Sequence, residues 1–293
     1  MLRIEELIEN KIKLNKNHFC TILGSNPSKG ARSPKLWNYT YKKMDISRKM
    51  IAFDLKKNNL KKLLLTLKQN EKFIGSAVTN PYKEEILKFK LIKLNSIERD
   101  IGAINCFYRY KKSFLGINTD GIAAIDTLKK NKLNFKNKKI LLLGCGGAGK
   151  AIASYISSKI YKKNNLIISV RKKNKIKKLS KKLNCNLIDW EKRIHYLSDV
   201  DIVINATSLG NINNLKKTPI NKSFFKKFKK NTFFFDINYQ PRKTLFLKYA
   251  DESGFRFCNG LHMILSQAVI AFNVVNKINS KYNKTYNLMR MVK

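Results

Sequence analysis

The chain has 293 residues, 43% of them hydrophobic, enough for two ordinary domains with real cores. Its 61 Lys and Arg against 19 Asp and Glu give a formal net charge of +42. No apolar run reaches bilayer-spanning length, and the start, MLRIEELIENKIKLNK, lacks the apolar core of a signal peptide, so we expect a cytoplasmic protein with no membrane partner.

In chain order, the start reads as a short amphipathic helix. His18–Leu23 reads as a strand, and Pro34–Lys43 as a helix entered at Ser33-Pro34, with proline in its first turn. Lys49–Phe53 reads as a strand, Leu60–Leu67 as a helix, Phe73–Thr79 as a strand and Lys83–Phe89 as a helix. Ile104–Arg109 and Ser113–Asn118 look like a strand pair, and Gly121–Lys130 is helical. The second half repeats strand–helix units, with strands beginning at or containing Ile140, Leu166, Asn186, Ile202, Phe233 and Arg256. Met263–Val275 is a helix apolar on most faces, so it reads as buried, and a short basic tail follows it. The fold class is α/β with two domains. An N-terminal α/β substrate domain, 1–119, is completed by C-terminal helices at 261–293. A doubly wound Rossmann-type domain occupies 120–260.

The most informative segment is Lys138–Ile156. The apolar run Ile140–Leu143 ends in Gly144-Cys145-Gly146-Gly147-Ala148-Gly149, and an alanine-rich helical run follows. That strand–turn–helix context turns a weak glycine pattern into a useful sign of a dinucleotide site, favoured over a glycine-rich turn that binds no nucleotide. Gly144 permits the tight turn and Gly146 lets backbone approach a pyrophosphate. Gly149 lets the helix lie close on the strand, so that the helix N-terminus faces the phosphates. The next strand, Asn165–Val170, ends in Arg171-Lys172-Lys173-Asn174-Lys175. A site for NAD would carry a carboxylate there. Cations suit a 2′-phosphate, so NADP is the predicted cofactor, with Arg171 carrying most of the argument because lysine is everywhere in this chain.

Hydride transfer needs a proton donor at the carbonyl oxygen. Two strand ends offer one: Val78-Thr79-Asn80-Pro81-Tyr82-Lys83 and Asn118-Thr119-Asp120-Gly121. A lysine ammonium can supply the proton and stabilise the developing alkoxide, held by a nearby carboxylate. By pattern alone such a Lys–Asp pair is more often a surface ion pair. The five cysteines are widely spaced with no C-x-x-C pair, which predicts reduced thiols and no zinc site. His18, His195 and His262 lack metal-ligand spacing, so no metal is expected, and Trp37 and Trp190 read as core aromatics.

Taken together, these segments resemble the shikimate dehydrogenase family almost end to end, from Ile22 to Phe272. Asn26–Pro34 is similar to the family's N-P-I-x-H-S-x-S-P loop, and Gly75–Lys83 to G-x-N-V-T-x-P-[FY]-K. Ile101–Asn105, Asn118–Gly121 and the glycine turn follow. Next come Asn205–Gly210, Asp236–Pro241 and Gly260-Leu261-His262-Met263 with Gln267, in the family's order. The resemblance implies reversible reduction of 3-dehydroshikimate to shikimate with NADPH, a step toward chorismate and the aromatic amino acids. It implies Lys83 as catalytic acid/base and Asp120 as its partner. Thr79, Asn105, Asp120 and Gln267 would bind substrate, Tyr239 would close over it, and Ser33 would hold its carboxylate. Gly146, Gly147 and Ala148 would cradle the pyrophosphate, within a turn framed by Gly144 and Gly149. Arg171 and Lys175 would meet the 2′-phosphate, with Ser208 and Gly260 near the nicotinamide.

The chain departs from the family at Ala31, in place of a carboxylate-binding serine, at Gly30 and at Ala77. Arg32 either supplies a bidentate fork for the carboxylate or points into solvent. These departures leave quinate or another cyclic polyol acid open as the substrate. The charge raises a further alternative, a non-enzymatic polyanion-binding protein on a dehydrogenase scaffold. The excess, however, is nearly all lysine, spread along the chain, with abundant Asn, Ile, Phe and Tyr. Those residue types share A- or T-rich codons, and no nucleic-acid-binding motif accompanies them, so no specific nucleic acid is expected. The expected partner is the small-molecule substrate, in a monomer or homodimer.

Overall fold

In the computed structural model, residues 3–14, 17–160, 162, 165–278 and 281–292 are described. The chain divides into two units, Met1–Thr119 with Leu265–Lys293, and Asp120–Ile264.

The first unit is built on strands β1 (Phe19–Gly24), β2 (Lys49–Asp54), β3 (Phe73–Val78), β4 (Ile92–Leu94), β5 (Cys106–Tyr110) and β6 (Ser113–Ile117). They lie in the order β2-β1-β3-β5-β6-β4. The first three are parallel, β5 runs antiparallel to β3 and β6, and β4 pairs parallel with β6. All six residues of β1 are buried, because successive side chains serve opposite faces of the sheet. Phe19 and Leu23 join one core cluster, and Cys20 and Ile22 join the other.

Helices α1 (Ser33–Lys43), α2 (Leu60–Gln69), α3 (Tyr82–Glu85) and α4 (Ser96–Ile101) connect these strands. Helix α2 buries Leu60, Leu63, Leu64 and Leu67, an i, i+3, i+4, i+7 stripe, against Phe73, Phe107 and Phe114. At about 2 kcal/mol for each leucine, that stripe outweighs any helix propensity in a lysine-rich segment.

The second unit holds β7 (Ile140–Leu143), β8 (Leu166–Val170), β9 (Asn186–Asp189), β10 (Ile202–Asn205), β11 (Phe233–Asp236) and β12 (Phe257–Cys258). Every pairing is parallel, in the order β12-β11-β10-β7-β8-β9. This is the doubly wound sheet expected from the sequence. Its central strands are buried end to end, as parallel strands covered on both faces must be. The order reverses between β7 and β10, where such sheets bind ligands at the carboxyl ends of their strands. Helices α5 (Thr119–Lys130), α6 (Gly147–Ser157), α7 (Lys177–Leu183) and α8 (Leu245–Glu252) belong to this half. Helix α9 (Leu261–Asn276) carries the chain back into the first unit, where α10 (Tyr282–Arg290) ends it.

Several local expectations need correction. The start forms only a single 3-10 turn, Ile4–Glu6, whose Ile4 is buried with Leu7 and Ile8. The helix expected over Lys83–Phe89 is four α-helical residues followed by a 3-10 turn, closed by Lys90 at φ 55°. The short β4 and α4 lie where the sequence shows no clear period. The expected basic tail is the packed helix α10, which buries Thr285 and Met289. Its inward stripe is half polar, with the Thr285 hydroxyl donating to Asn273 Oδ1 at 2.8 Å, so a hydrophobic pattern does not reveal it. Trp37 is a core residue, whereas Trp190 sits at a core edge with the Arg193 guanidinium 4.2 Å over its ring. All five cysteines are free. Among the described residues there is no metal-ligating cluster and no helix long and apolar enough to cross a membrane.

Candidate active site

In the first unit Asn105, which immediately precedes β5 and is 5% exposed, is the centre of a polar cluster that includes the candidate Gln267. Its backbone carbonyl accepts from the Val78 amide at 2.7 Å, tying it to the end of β3. Its Oδ1 accepts from the Thr119 amide at 2.8 Å, and its Nδ2 donates to Thr119 Oγ1 at 2.8 Å. Gln267 brings Oε1 to 3.4 Å from both Asn105 Nδ2 and Thr119 Oγ1. Three polar side chains from widely separated segments are thus brought together, with rotamers fixed by one another.

Thr79 follows β3, and its amide donates to the Leu23 carbonyl at 2.8 Å. Lys83 lies in α3, half-buried, and its carbonyl accepts from the Ile104 amide at 2.9 Å. The backbone therefore holds the Lys83 segment to the segment that carries Asn105. Neighbouring Tyr82 is buried and anchors the turn by donating its hydroxyl hydrogen bond to the Leu55 carbonyl. Behind this strand end, Asn118 Nδ2 donates to the Ala103 carbonyl at 3.0 Å. Ser33 opens α1 and is half-buried. Arg32 is half-buried, and its Nη2 donates to the Val292 carbonyl at 3.4 Å.

In the second unit Asp120 stands in the first turn of α5, 6% exposed. The glycine turn joins β7 to α6. Gly144 has φ +87°, and a Cβ there would lie 2.6 Å from Thr207 Cγ2, so only glycine suits it. A Cβ on Gly149 would lie 2.6 Å from the Gly144 carbonyl oxygen, so its absence lets the helix approach the strand. Gly146 and Gly147 differ, since a Cβ on either would meet nothing within 4 Å. Packing does not demand glycine at those two positions. They flank the N-terminus of α6, where no side chain caps the helix and the amide dipoles favour an anion. Arg171 and Lys175 are exposed beyond the end of β8, next to Lys173, which pairs with Asp189 at 2.9 Å.

Beside the glycine turn, the loops after β10 and β11 are held by a buried polar network that sequence reading does not single out. The Asp236 carboxylate is fully buried. Its Oδ2 accepts from Thr244 Oγ1 at 2.6 Å, and its Oδ1 accepts from the Asn238 amide at 3.0 Å and from Asn238 Nδ2 at 2.8 Å. Asn238 Nδ2 also lies 3.1 Å from the Thr207 carbonyl, and Asn205 Oδ1 accepts from the Thr207 amide at 3.0 Å. Burial pushes the Asp236 carboxyl up to about 6. The network fixes the loop that presents the exposed Ser208 and the half-buried Tyr239. Gly260 lies against the same loop, since a Cβ there would fall 1.8 Å from the Ile237 carbonyl oxygen. The signal in the sequence was the run of Asn, Asp and Thr at strand ends, residue types that bond loop backbone. His262 is structural, its Nε2 3.0 Å from Asp126 Oδ2.

Comparison with known proteins adds an independent finding. Residues 23–107 match the shikimate dehydrogenase substrate binding domain, and residues 126–244 match shikimate / quinate 5-dehydrogenase. The chain is 31% identical over 253 residues to a shikimate dehydrogenase (NADP(+)) of Caldanaerobacter subterraneus, covering 84% of this chain and 88% of that one. It is 33% identical over 266 residues to one from Pelagibacter ubique, covering 90% and 96%. Among solved structures, a shikimate dehydrogenase in complex with NADP+ aligns with TM-score 0.81 at 26% identity, over 95% of this chain and 96% of that one. The shikimate dehydrogenase of Aquifex aeolicus aligns with TM-score 0.80 at 28% identity, over 95% and 100%.

Proposed function

The chain belongs to the shikimate dehydrogenase family, and we propose that it uses Lys83 to move a proton in the NADP-dependent interconversion of 3-dehydroshikimate and shikimate. The reaction class is oxidoreduction at a CH–OH group, with NADP as cofactor. The observation that carries the residue assignment is the Asn105–Thr119–Gln267 cluster, joined through backbone to the Lys83 segment. It offers amide and hydroxyl groups of fixed orientation, which suits a polyhydroxylated ring whose hydroxyls each donate and accept.

The residues present fit the cofactor. Gly146 and Gly147 leave open space at an uncapped helix N-terminus for a pyrophosphate, and Ala148 completes that cradle. Arg171 and Lys175 supply exposed cations for the 2′-phosphate. Ser208 and Gly260 are assigned to the nicotinamide end, and Gly144 and Gly149 hold the turn in shape. When bound, NADPH supplies the hydride that adds to the substrate carbonyl carbon.

Lys83 acts at the oxygen of that carbonyl. In reduction its ammonium gives a proton as negative charge develops there, so the product is the neutral alcohol. In oxidation the neutral amine takes the hydroxyl proton while the carbon gives up hydride. Asp120 is assigned as the carboxylate that balances the ammonium and accepts from a substrate hydroxyl. Thr79, Asn105 and Gln267 orient the ring, Tyr239 covers it and Ser33 takes the carboxylate.

The test supplies purified protein with NADP and either shikimate or quinate, following reduced cofactor by absorbance. Turnover with shikimate, lost in Lys83→Ala, is the expected outcome. Turnover that survives this substitution refutes the role of Lys83. Preference for quinate would reassign the substrate, a possibility raised by Ala31 and Ala77.

A further inference from the structure

The first unit holds a cavity of about 370 Å³ at the amino ends of β1 and β2. Thr79 and Lys83 follow the carboxyl end of β3, which is parallel to β1. A six-residue strand spans about 20 Å, so the two places lie at opposite ends of the same sheet. The cavity is not part of the site described above.

Its lining is one-sided in charge. Lys13, Lys42, Arg48 and Lys49 all contribute, and among the described residues that line it there is no Asp or Glu. In a chain with 61 cations and 19 acids, clusters of lysine are common on open surface. Here the cations converge on a concavity from three separate segments. One of them, Lys42, has a local reason to be where it is, since it stands in the last turn of α1 and complements that helix end. Arg48 is also positioned in advance: its Nη1 donates at 2.8 Å to Oδ1 of Asn276, which is 8% exposed. A guanidinium so oriented loses little entropy on meeting an anion. The side chains of Ile46 and Ile51 give the same cavity an apolar wall.

We propose that this cavity binds a small organic phosphate, the phosphate among the four cations and the carbon part against the isoleucines. The volume falls within the range of small-molecule sites, roughly 300–1,000 Å³. Cations around a concave surface favour a compact multivalent anion over a single carboxylate, and a phosphate offers the oxygens to engage several of them at once.

The experiment is calorimetric titration of the whole protein with phenyl phosphate and with inorganic phosphate, at 0.15 M salt and saturating NADP. The NADP removes phosphate binding at the nucleotide site from the measurement. The expected result is one phenyl phosphate per chain, bound more tightly than inorganic phosphate. The Lys42→Gln/Lys49→Gln variant should weaken it about tenfold. The Lys226→Gln/Lys227→Gln/Lys229→Gln variant, altered elsewhere, should leave it unchanged. Both variants should melt near the parent temperature and keep its shikimate turnover, because the altered lysines are exposed. Ile51→Thr, a second probe that adds no charge, should reduce the preference for phenyl phosphate over phosphate. Absence of binding, or equal weakening in both lysine variants, overturns the proposal.

Discussion

In the first unit the candidate groups are side chains held by other side chains: Asn105 by Thr119, with Gln267 alongside. In the second unit the candidate groups are largely places where a side chain is missing, at Gly144, Gly146, Gly147, Gly149 and Gly260. The contrast fits what each unit is proposed to recognise. A hydroxylated ring is told apart by donors and acceptors at fixed angles. A pyrophosphate is held by backbone amides, and bulk near them only keeps it away. The two units should therefore fail differently when altered, one by losing an atom and the other by gaining one.

The largest expected effect separates chemistry from binding. Lys83→Met should lower turnover by about 10²–10⁴-fold, the usual worth of a positioned proton donor. Lys83 is only half-buried, so the melting temperature and the NADP dissociation constant should stay near those of the parent. Steady-state turnover beside a fluorescence titration of NADP measures both. A variant with parental turnover would remove Lys83 from the mechanism.

Gly260→Ala should come next, and it acts on the fold. The new Cβ would lie 1.8 Å from the Ile237 carbonyl oxygen and 2.5 Å from its carbonyl carbon, so backbone must move. We expect a loss of at least 3 kcal/mol by urea unfolding, at the severe end of overpacking. Gly146→Ala is its counterpart. With open space around it, stability should change by under about 1 kcal/mol, while NADP affinity falls about tenfold. Equal loss of stability in the two variants would erase the distinction between glycines the fold needs and glycines the ligand needs.

How much of this was legible in the sequence depends on what each element is made of. The second unit's sheet was readable because buried parallel strands are continuous apolar runs, such as Ile140–Leu143 and Phe233–Asp236, punctuated by turns. Helix α2 declared itself through its leucine stripe. Helix α10 did not, because Thr285 packs inward through a hydrogen bond rather than through hydrophobicity. At the candidate site, the glycine turn could be read as a local pattern. The pairing of Asn105 with Gln267 spans 162 positions and has no local signature, so only the resemblance of the whole chain brought them into one list. The Asp236 network stayed hidden because a buried carboxylate and an exposed one look alike in sequence.

That network is the exception to the contrast, a side-chain scaffold inside the unit that otherwise works through backbone. Its pH dependence can be worked out. The folded Asp236 carboxyl titrates at about 6, above its ordinary value of 3.8. Between those two values the folded chain holds more protons than the unfolded one. This group's contribution to stability is therefore fully present below about pH 4 and is lost as pH rises to about 6, a change of about 3 kcal/mol. Asp236→Asn keeps an acceptor for Asn238 and gives Thr244 Oγ1 a donor in place of an acceptor. Its unfolding free energy should lack this fall, and near pH 7.5 the variant should match or exceed the parent. Parallel profiles for variant and parent would show that Asp236 does not titrate in this range.

The smallest expected effect concerns cofactor choice. Arg171 stands exposed just past β8, with Lys172 and Lys175 near it in the chain. If it meets the 2′-phosphate, it does so in solvent, where a charge-assisted contact is weakened by water and salt. Neighbouring lysines also make up part of the loss. Arg171→Gln should therefore raise KM for NADP about tenfold at low salt and less at 0.15 M, with KM for NAD nearly unmoved. The ratio of kcat/KM for the two cofactors, measured at two ionic strengths, isolates the phosphate contact from general binding. A proportionate loss with NAD would mean that Arg171 supports the loop rather than the phosphate. Parental kcat/KM with both cofactors would shift the phosphate contact to Lys175, whose own substitution then becomes the deciding measurement.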